Sequence, residues 1–98
     1  MKTLADLQEE VLEWAGGLSP HRKPQNTVVK MVSETSELLD AVLNERDVEG
    51  ELADCMILLL DLADMYDVDL IQAGFAKMQI NREREWAVKN GVIRRKEK

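Results

Sequence analysis

The sequence holds one cysteine and one histidine in 98 residues. Cys55 can close no internal disulfide, and with His21 alone it cannot complete a zinc site. Cys55 lies in an apolar run and reads as a small core hydrophobe rather than a nucleophile. Aromatic residues number four, Trp14, Tyr66, Phe75 and Trp86. Any core must therefore be built from Leu, Val, Ile, Met and Ala, which suits packed helices and disfavours a β-sandwich. No apolar stretch approaches the roughly 18 residues of a membrane span, and the N-terminus turns acidic where a signal peptide would turn apolar. The expectation is a soluble, cytoplasmic chain. Glycine-rich phosphate loops, repeats and low-complexity tracts are absent as well.

Positive charge is also scarce. The net charge of -6 disfavours a nucleic-acid or anionic-membrane binder, which would neutralise phosphates with clustered Lys and Arg. The balance is uneven along the chain: residues 77–98 carry eight Lys or Arg against three Glu, a net of +5, so residues 1–76 carry -11. An acidic body with a basic end suits a site that holds cations on one side and phosphates on the other. A solvated basic tail over residues 90–98 accounts for the same charge.

What remains is 45% apolar and 33% charged, the mixture of a single globular domain spanning 1–98. Four segments have helical periodicity. Thr3 can cap a first helix to about Ala15, with Leu4, Leu7, Val11 and Trp14 on one face and Gly16-Gly17 as its stop. Residues 18–25 contain both prolines, Pro20 and Pro24, and read as an irregular connection. Asn26 or Thr27 can cap a second helix to about Arg46, striped by Val28, Val32, Leu39, Val42 and Leu43. A third, from Val48 or Glu51 to Tyr66, is apolar at nearly every azimuth through Cys55–Leu60 and must be covered on all sides. A chain this short supplies too few neighbours, so part of that helix is expected in a subunit interface. A fourth runs from Leu70 to about Val88, with Gly74 permitting close approach of another helix and Asn90-Gly91 as its end. The fold class expected is all-α, a four-helix bundle completed by oligomerisation.

Two acidic doublets carry the chemistry: Glu34-Thr35-Ser36-Glu37 on the second helix and Glu51-Leu52-Ala53-Asp54 on the third. Three-residue spacing places both carboxylates of a doublet on one helical face. If the two helices form an antiparallel hairpin about residues 47–50, all four converge near its closed end. Clustered carboxylates raise one another's pKa unless cations neutralise them. Oxygen-only ligation selects Mg²⁺ or Mn²⁺ and argues against a di-iron bundle, which needs Glu-x-x-His. Solvated helix faces also carry such doublets, and Lys30, one turn earlier, can simply pair with Glu34. On the fourth helix Lys77, Asn81 and Arg84 recur at i, i+4 and i+7, a stripe of hydrogen-bond donors suited to phosphate oxygens or to solvent. Trp14, Met31, Met56, Asp61 and the loop with His21 and Arg22 are open choices for a base pocket. Asp61, two turns beyond Asp54, is expected at the pocket edge or paired across an interface.

From about Val28 to Arg84 the sequence resembles the MazG-like all-α nucleoside triphosphate pyrophosphohydrolases. It carries their Glu-x-x-Glu and Glu-x-x-Asp motifs as Glu34, Glu37, a 13-residue gap, Glu51 and Asp54. Ser-Glu-Leu-Leu-Asp-Ala after the first doublet and Lys-Met-x-x-Asn-Arg in the fourth helix fit the same family, whereas the phosphoribosyl-ATP pyrophosphohydrolases fit less closely. The resemblance implies a Mg²⁺-dependent enzyme, with Mn²⁺ as a possible substitute, that splits a nucleoside triphosphate into monophosphate and pyrophosphate. By motif, Glu34, Glu37, Glu51 and Asp54 become metal ligands, Glu34 or Glu37 the proton acceptor, and Lys77, Asn81 and Arg84 phosphate contacts. The family also implies a homo-oligomer, a dimer or a tetramer of two dimers, and leans to purine deoxynucleotides such as dGTP or dATP. The competing reading is a non-catalytic helical oligomerisation module.

Overall fold

A computed structural model describes residues 1–96, so Glu97 and Lys98 of the expected tail lie outside the described residues. Four helices run in order, α1 (Leu4–Leu18), α2 (Pro24–Leu43), α3 (Val48–Met65) and α4 (Leu70–Glu83), followed by strands β1 (Trp86–Lys89) and β2 (Val92–Arg95). The class is all-α, with one short hairpin appended.

Helix boundaries follow local chemistry. Thr3 caps α1 as expected, in a reciprocal box: its hydroxyl accepts from the Asp6 N–H and its own N–H donates to the Asp6 carboxylate. Gly16-Gly17 does not stop α1, which continues to Leu18. Glycine lowers helix propensity by only about 1 kcal/mol, whereas Pro20 pushes the residue before it out of the helical region, and Ser19 is there at φ -145°. Helix α2 starts at Pro24, earlier than the Asn26 or Thr27 expected, because proline at the first helical position has its φ preset and needs no N–H partner. Thr27 is instead buried inside the helix. Asp47 caps α3 by accepting from the Gly50 N–H, and a Cβ on Gly50 would collide with the Asp47 carboxylate. Gly50 thus belongs to the first turn of α3 rather than to a break.

Helices α2 and α3 end alike, α2 three residues short of the expected Arg46 and α3 one residue short of the expected Tyr66. Glu45 (φ 52°) and Asp67 (φ 53°) enter the left-handed region. The next N–H in each case returns to a carbonyl five residues back, Arg46 to Ala41 and Val68 to Ala63, both at 2.9 Å. Helix α4 ends at Glu83, five residues before the expected Val88. Arg84 turns extended, and Asn90-Gly91, both at positive φ, make the tight turn of a hairpin rather than a helix stop. Trp86 pairs with Arg95 and Val88 with Ile93.

Helix α3 packs between α1 and α2, around Leu60, Val11, Ala15, Ala41 and Ala63. Helix α4 and the hairpin contribute no buried residue. A Cβ placed on Gly74 would meet no atom of another element within 4 Å among the described residues, so no helix of these residues packs closely there. The accessible surface is 8108 Å², against about 5,700 Å² for a compact monomer of this mass. The radius of gyration is 16.0 Å, against about 12.6 Å for a compact domain of this length. Large apolar side chains stand exposed along the chain, among them Leu18 on α1, Val29, Val32 and Leu43 on α2, Phe75 on α4 and Val88 and Ile93 on the hairpin.

Candidate active site

Packing α2 against α3 brings one ligand oxygen each from Glu34, Glu37 and Glu51 within 4.8 Å of one another. Glu34 is buried, Glu51 half-buried and Glu37 exposed. Asp54, the fourth expected member, is exposed and stands outside this close group, although its charge acts on Glu37 and Glu51. The expected convergence at the closed end of the hairpin is therefore present for three carboxylates of four.

The electrostatics are those of a crowded anionic site. The Lys30 ammonium lies 3.1 Å from Glu34 Oε1, and its hydrogen bond holds Glu34 below the ordinary glutamate range. The same contact raises Lys30. Glu37 is pushed up, first by a hydrogen bond to Glu34 that its protonated form donates and then by Glu34's charge. Glu51 is pushed up by loss of solvent, then by the charges of Glu37, Asp54 and Glu34. Glu34 Oε2 and Glu51 Oε2 are buried with no hydrogen-bond partner. Two buried acceptor oxygens without a donor of their own, in a group of carboxylates, are a place for a cation. A donor set of carboxylates alone, with His21 exposed elsewhere, fits a hard divalent ion. Cys55, beside Asp54, has its thiol pushed up by burial and by Glu34, Glu51 and Asp54, which leaves it a poor nucleophile.

A pH dependence follows with a definite sign. Glu37 and Glu51 bind protons more readily folded than unfolded, so their contribution to metal-free stability grows as pH falls through the range just above the ordinary glutamate value, and is lost as pH rises. A divalent cation needs both deprotonated, so its stabilising effect runs the other way. The rise in melting temperature caused by Mn²⁺ is expected to increase with pH across that window, checked by paired melts with and without Mn²⁺. A shift independent of pH would dissociate Glu37 and Glu51 from the metal.

Asp61 is paired within its own chain, to Arg22. Arg22 Nε lies 2.8 Å from Asp61 Oδ1 and Arg22 Nη2 3.0 Å from Asp64 Oδ2, a largely buried fork that ties the α1–α2 connection to α3. Trp14 is exposed, and Met56 lines a shallow cleft with Leu4 and Leu7. A groove of about 520 Å³ between α1 and the α3–α4 turn presents Glu9, Asp64, Asp67 and Asp69 and no cationic side chain.

Lys77 is exposed on α4, while Asn81 and Arg84 are half-buried near its end. Among the described residues, no hydrogen bond or ion pair joins α4 to α2 or α3, so the donor stripe and the carboxylates are not brought together within one chain. Trp86 is the neighbour that sequence periodicity missed. Its indole N–H donates to the Asn81 carbonyl at 2.6 Å, a contact created by the hairpin where a longer helix was expected.

No protein-family profile matches the sequence. Individual relatives do. The chain is 42% identical over 94 residues, 94% of its own length and 87% of the relative's, to a dATP/dGTP diphosphohydrolase of Cyanophage S-2L. It is 37% identical over 84 residues to a dATP/dGTP diphosphohydrolase of Salmonella phage PMBT28, spanning 86% of this chain but 28% of that protein. A solved structure of the Cyanophage S-2L MazG-like pyrophosphohydrolase, bound to dGDP and three catalytic Mn²⁺ ions per active site, superposes with a TM-score of 0.87 at 40% identity, covering 99% of this chain and 100% of that one. Shared fold, shared sequence over nearly the full length and a carboxylate cluster on the α2–α3 pair agree: the chain belongs to the MazG-like nucleotide pyrophosphohydrolases.

Proposed function

We propose that the protein is a Mg²⁺-dependent enzyme, with Mn²⁺ as a substitute, that hydrolyses purine deoxynucleoside triphosphates such as dGTP and dATP to the monophosphate and pyrophosphate. The observation that carries this reading is the convergence of Glu34, Glu37 and Glu51 with two buried, partnerless carboxylate oxygens. The names of both phage relatives support the choice of purine deoxynucleotides. Glu34, Glu37, Glu51 and, from the rim, Asp54 would hold the cations. Divalent metal there supplies Lewis-acid charge to offset negative charge developing on the phosphates, and it activates water. Glu37 is the better candidate to accept the proton of the attacking water. Glu34 has one oxygen on Lys30 and the other buried, whereas Glu37 is exposed. Lys77, Asn81 and Arg84 would grip phosphate oxygens and hold the α-phosphorus in line with that water.

These donors stand apart from the carboxylates of their own chain, and about 2,400 Å² of surface exceeds that of a compact monomer. Both points support a homo-oligomer, a dimer or a pair of dimers, in which the donors of one copy meet the carboxylates of another. A cytoplasmic enzyme acting on the free nucleotide pool is the accompanying reading.

The test is a panel of the common NTPs and dNTPs with Mg²⁺, with products resolved by chromatography. Monophosphate and pyrophosphate from dGTP and dATP are expected, with activity lost in EDTA. Orthophosphate as the first product would make the protein a phosphatase, and no turnover with any nucleotide would return it to a non-catalytic oligomerisation module.

A further inference from the structure

Lys30 is the one cation paired to the carboxylate cluster. Among the described residues, Glu34 alone of Glu34, Glu37, Glu51 and Asp54 has an ion-pair partner, the Lys30 ammonium one turn earlier on α2, 3.1 Å from Oε1. The two side chains differ in exposure, 59% for Lys30 against 10% for Glu34, so a flexible stem brings a charge from solvent onto a nearly buried carboxylate. Lys before Glu at this spacing does less for a helix than the reverse order, so helix stability is a small part of what the pair does. Beyond Glu34, the charges of Glu37 and Asp54 act on the same ammonium.

The contact distinguishes the two oxygens of Glu34. The last torsion of a glutamate is soft and nearly two-fold, so burial by itself leaves its oxygens interchangeable. A hydrogen bond on Oε1 removes that equivalence and leaves Oε2, buried and without a partner, as the oxygen open to a cation. It also offsets the repulsion that would turn Glu34 away from Glu37 and Glu51, each of which has an oxygen within 4.8 Å of one of its own. Glu51 likewise has a buried, partnerless Oε2, but no ammonium or guanidinium holds its carboxylate.

We propose that Lys30 is a positioning residue of the cation site: it touches neither metal nor substrate, and by holding Glu34 Oε1 it fixes the orientation in which Oε2 serves as a ligand. The proposal deepens the pyrophosphohydrolase reading and rests on it for the place of a divalent cation at Glu34. A ligand carboxylate held by an outer partner is set before the ion arrives, which spares the ordering that a free side chain would need on binding.

Lys30→Met makes the test one of sign. Removing a positive charge beside a cation site, taken alone, tightens divalent binding, whereas releasing a held ligand weakens it. The expected result is about 10-fold weaker Mn²⁺ binding to the nucleotide-free protein, measured by titration calorimetry, within the range for loss of a ligand's outer partner. Lys30→Arg, which keeps the charge and the donors, is expected to recover most of that affinity. The fall in dGTP hydrolysis by Lys30→Met is expected to shrink as Mn²⁺ is raised. Tighter or unchanged Mn²⁺ binding in Lys30→Met would overturn the proposal and make Lys30 a neighbouring charge. A raised KM for dGTP at unchanged Mn²⁺ affinity would overturn it in favour of a phosphate contact. Equal losses in the Met and Arg variants would overturn it in favour of a disturbed α2. Weaker Mn²⁺ binding in Lys30→Met, in a protein that hydrolyses no triphosphate, would retain the positioning role and remove the reaction. Hydrolysis of dGTP with Mn²⁺ affinity indifferent to Lys30 would do the reverse.

Discussion

Glu51→Gln is expected to cut nucleotide hydrolysis by about 10³-fold while raising, not lowering, the melting temperature of the metal-free protein. The two halves have one cause. Glu51 Oε2 is buried without a partner and its carboxylate sits among Glu34, Glu37 and Asp54. Removing that charge relieves repulsion, and the new amide N–H can donate to the neighbouring carboxylates. The same change takes a charged oxygen from the cation site, where several kcal/mol of transition-state stabilisation reside, each 1.36 kcal/mol being tenfold in rate. Steady-state pyrophosphate release and a thermal melt in EDTA check both. Activity retained within tenfold would exclude Glu51 as a ligand, and a lowered melting temperature would make it a structural residue.

Arg22→Met is expected to cost about 3 kcal/mol of stability, because removing one partner of a largely buried ion network strands the others. Asp61 and Asp64 would face each other's charge with side-chain exposures of 11% and 24% and no cation between them. Urea denaturation at fixed protein concentration measures the loss. Adding Asp61→Asn and Asp64→Asn to Arg22→Met should restore much of it, since neutralising a whole network is far milder than breaking it. A single-variant loss below 1 kcal/mol would show that the fork does not hold the α1–α2 connection.

The helices were readable where one residue type has one meaning. Thr3 caps α1, and the apolar period places α3 from Val48 or Glu51 to one residue past its end. Misreadings came from residues with two meanings. Glycine pairs stop helices or ride in their last turn, and Asn-Gly ends a helix or turns a hairpin. Which occurs at Gly16-Gly17 and at Asn90-Gly91 depends on Pro20 and on whether β2 pairs with β1. The carboxylate doublets were legible because spacing on a helix fixes which side chains share a face. The Arg22 fork was not, because it joins positions 39 and 42 residues apart and no periodicity links a loop arginine to a distant helix.

The sequence by itself determined an all-α chain and two acidic doublets on adjacent helices, which follow from local spacing and residue chemistry, while the family was legible only through resemblance to known pyrophosphohydrolases. Only the tertiary structure decided that Glu34, Glu37 and Glu51 converge ahead of Asp54, that Asp61 is spent on Arg22, and that Trp86 turns back onto Asn81. Those depend on how helices pack and where the chain reverses, and such contacts between distant residues are set by the whole fold rather than by any one segment.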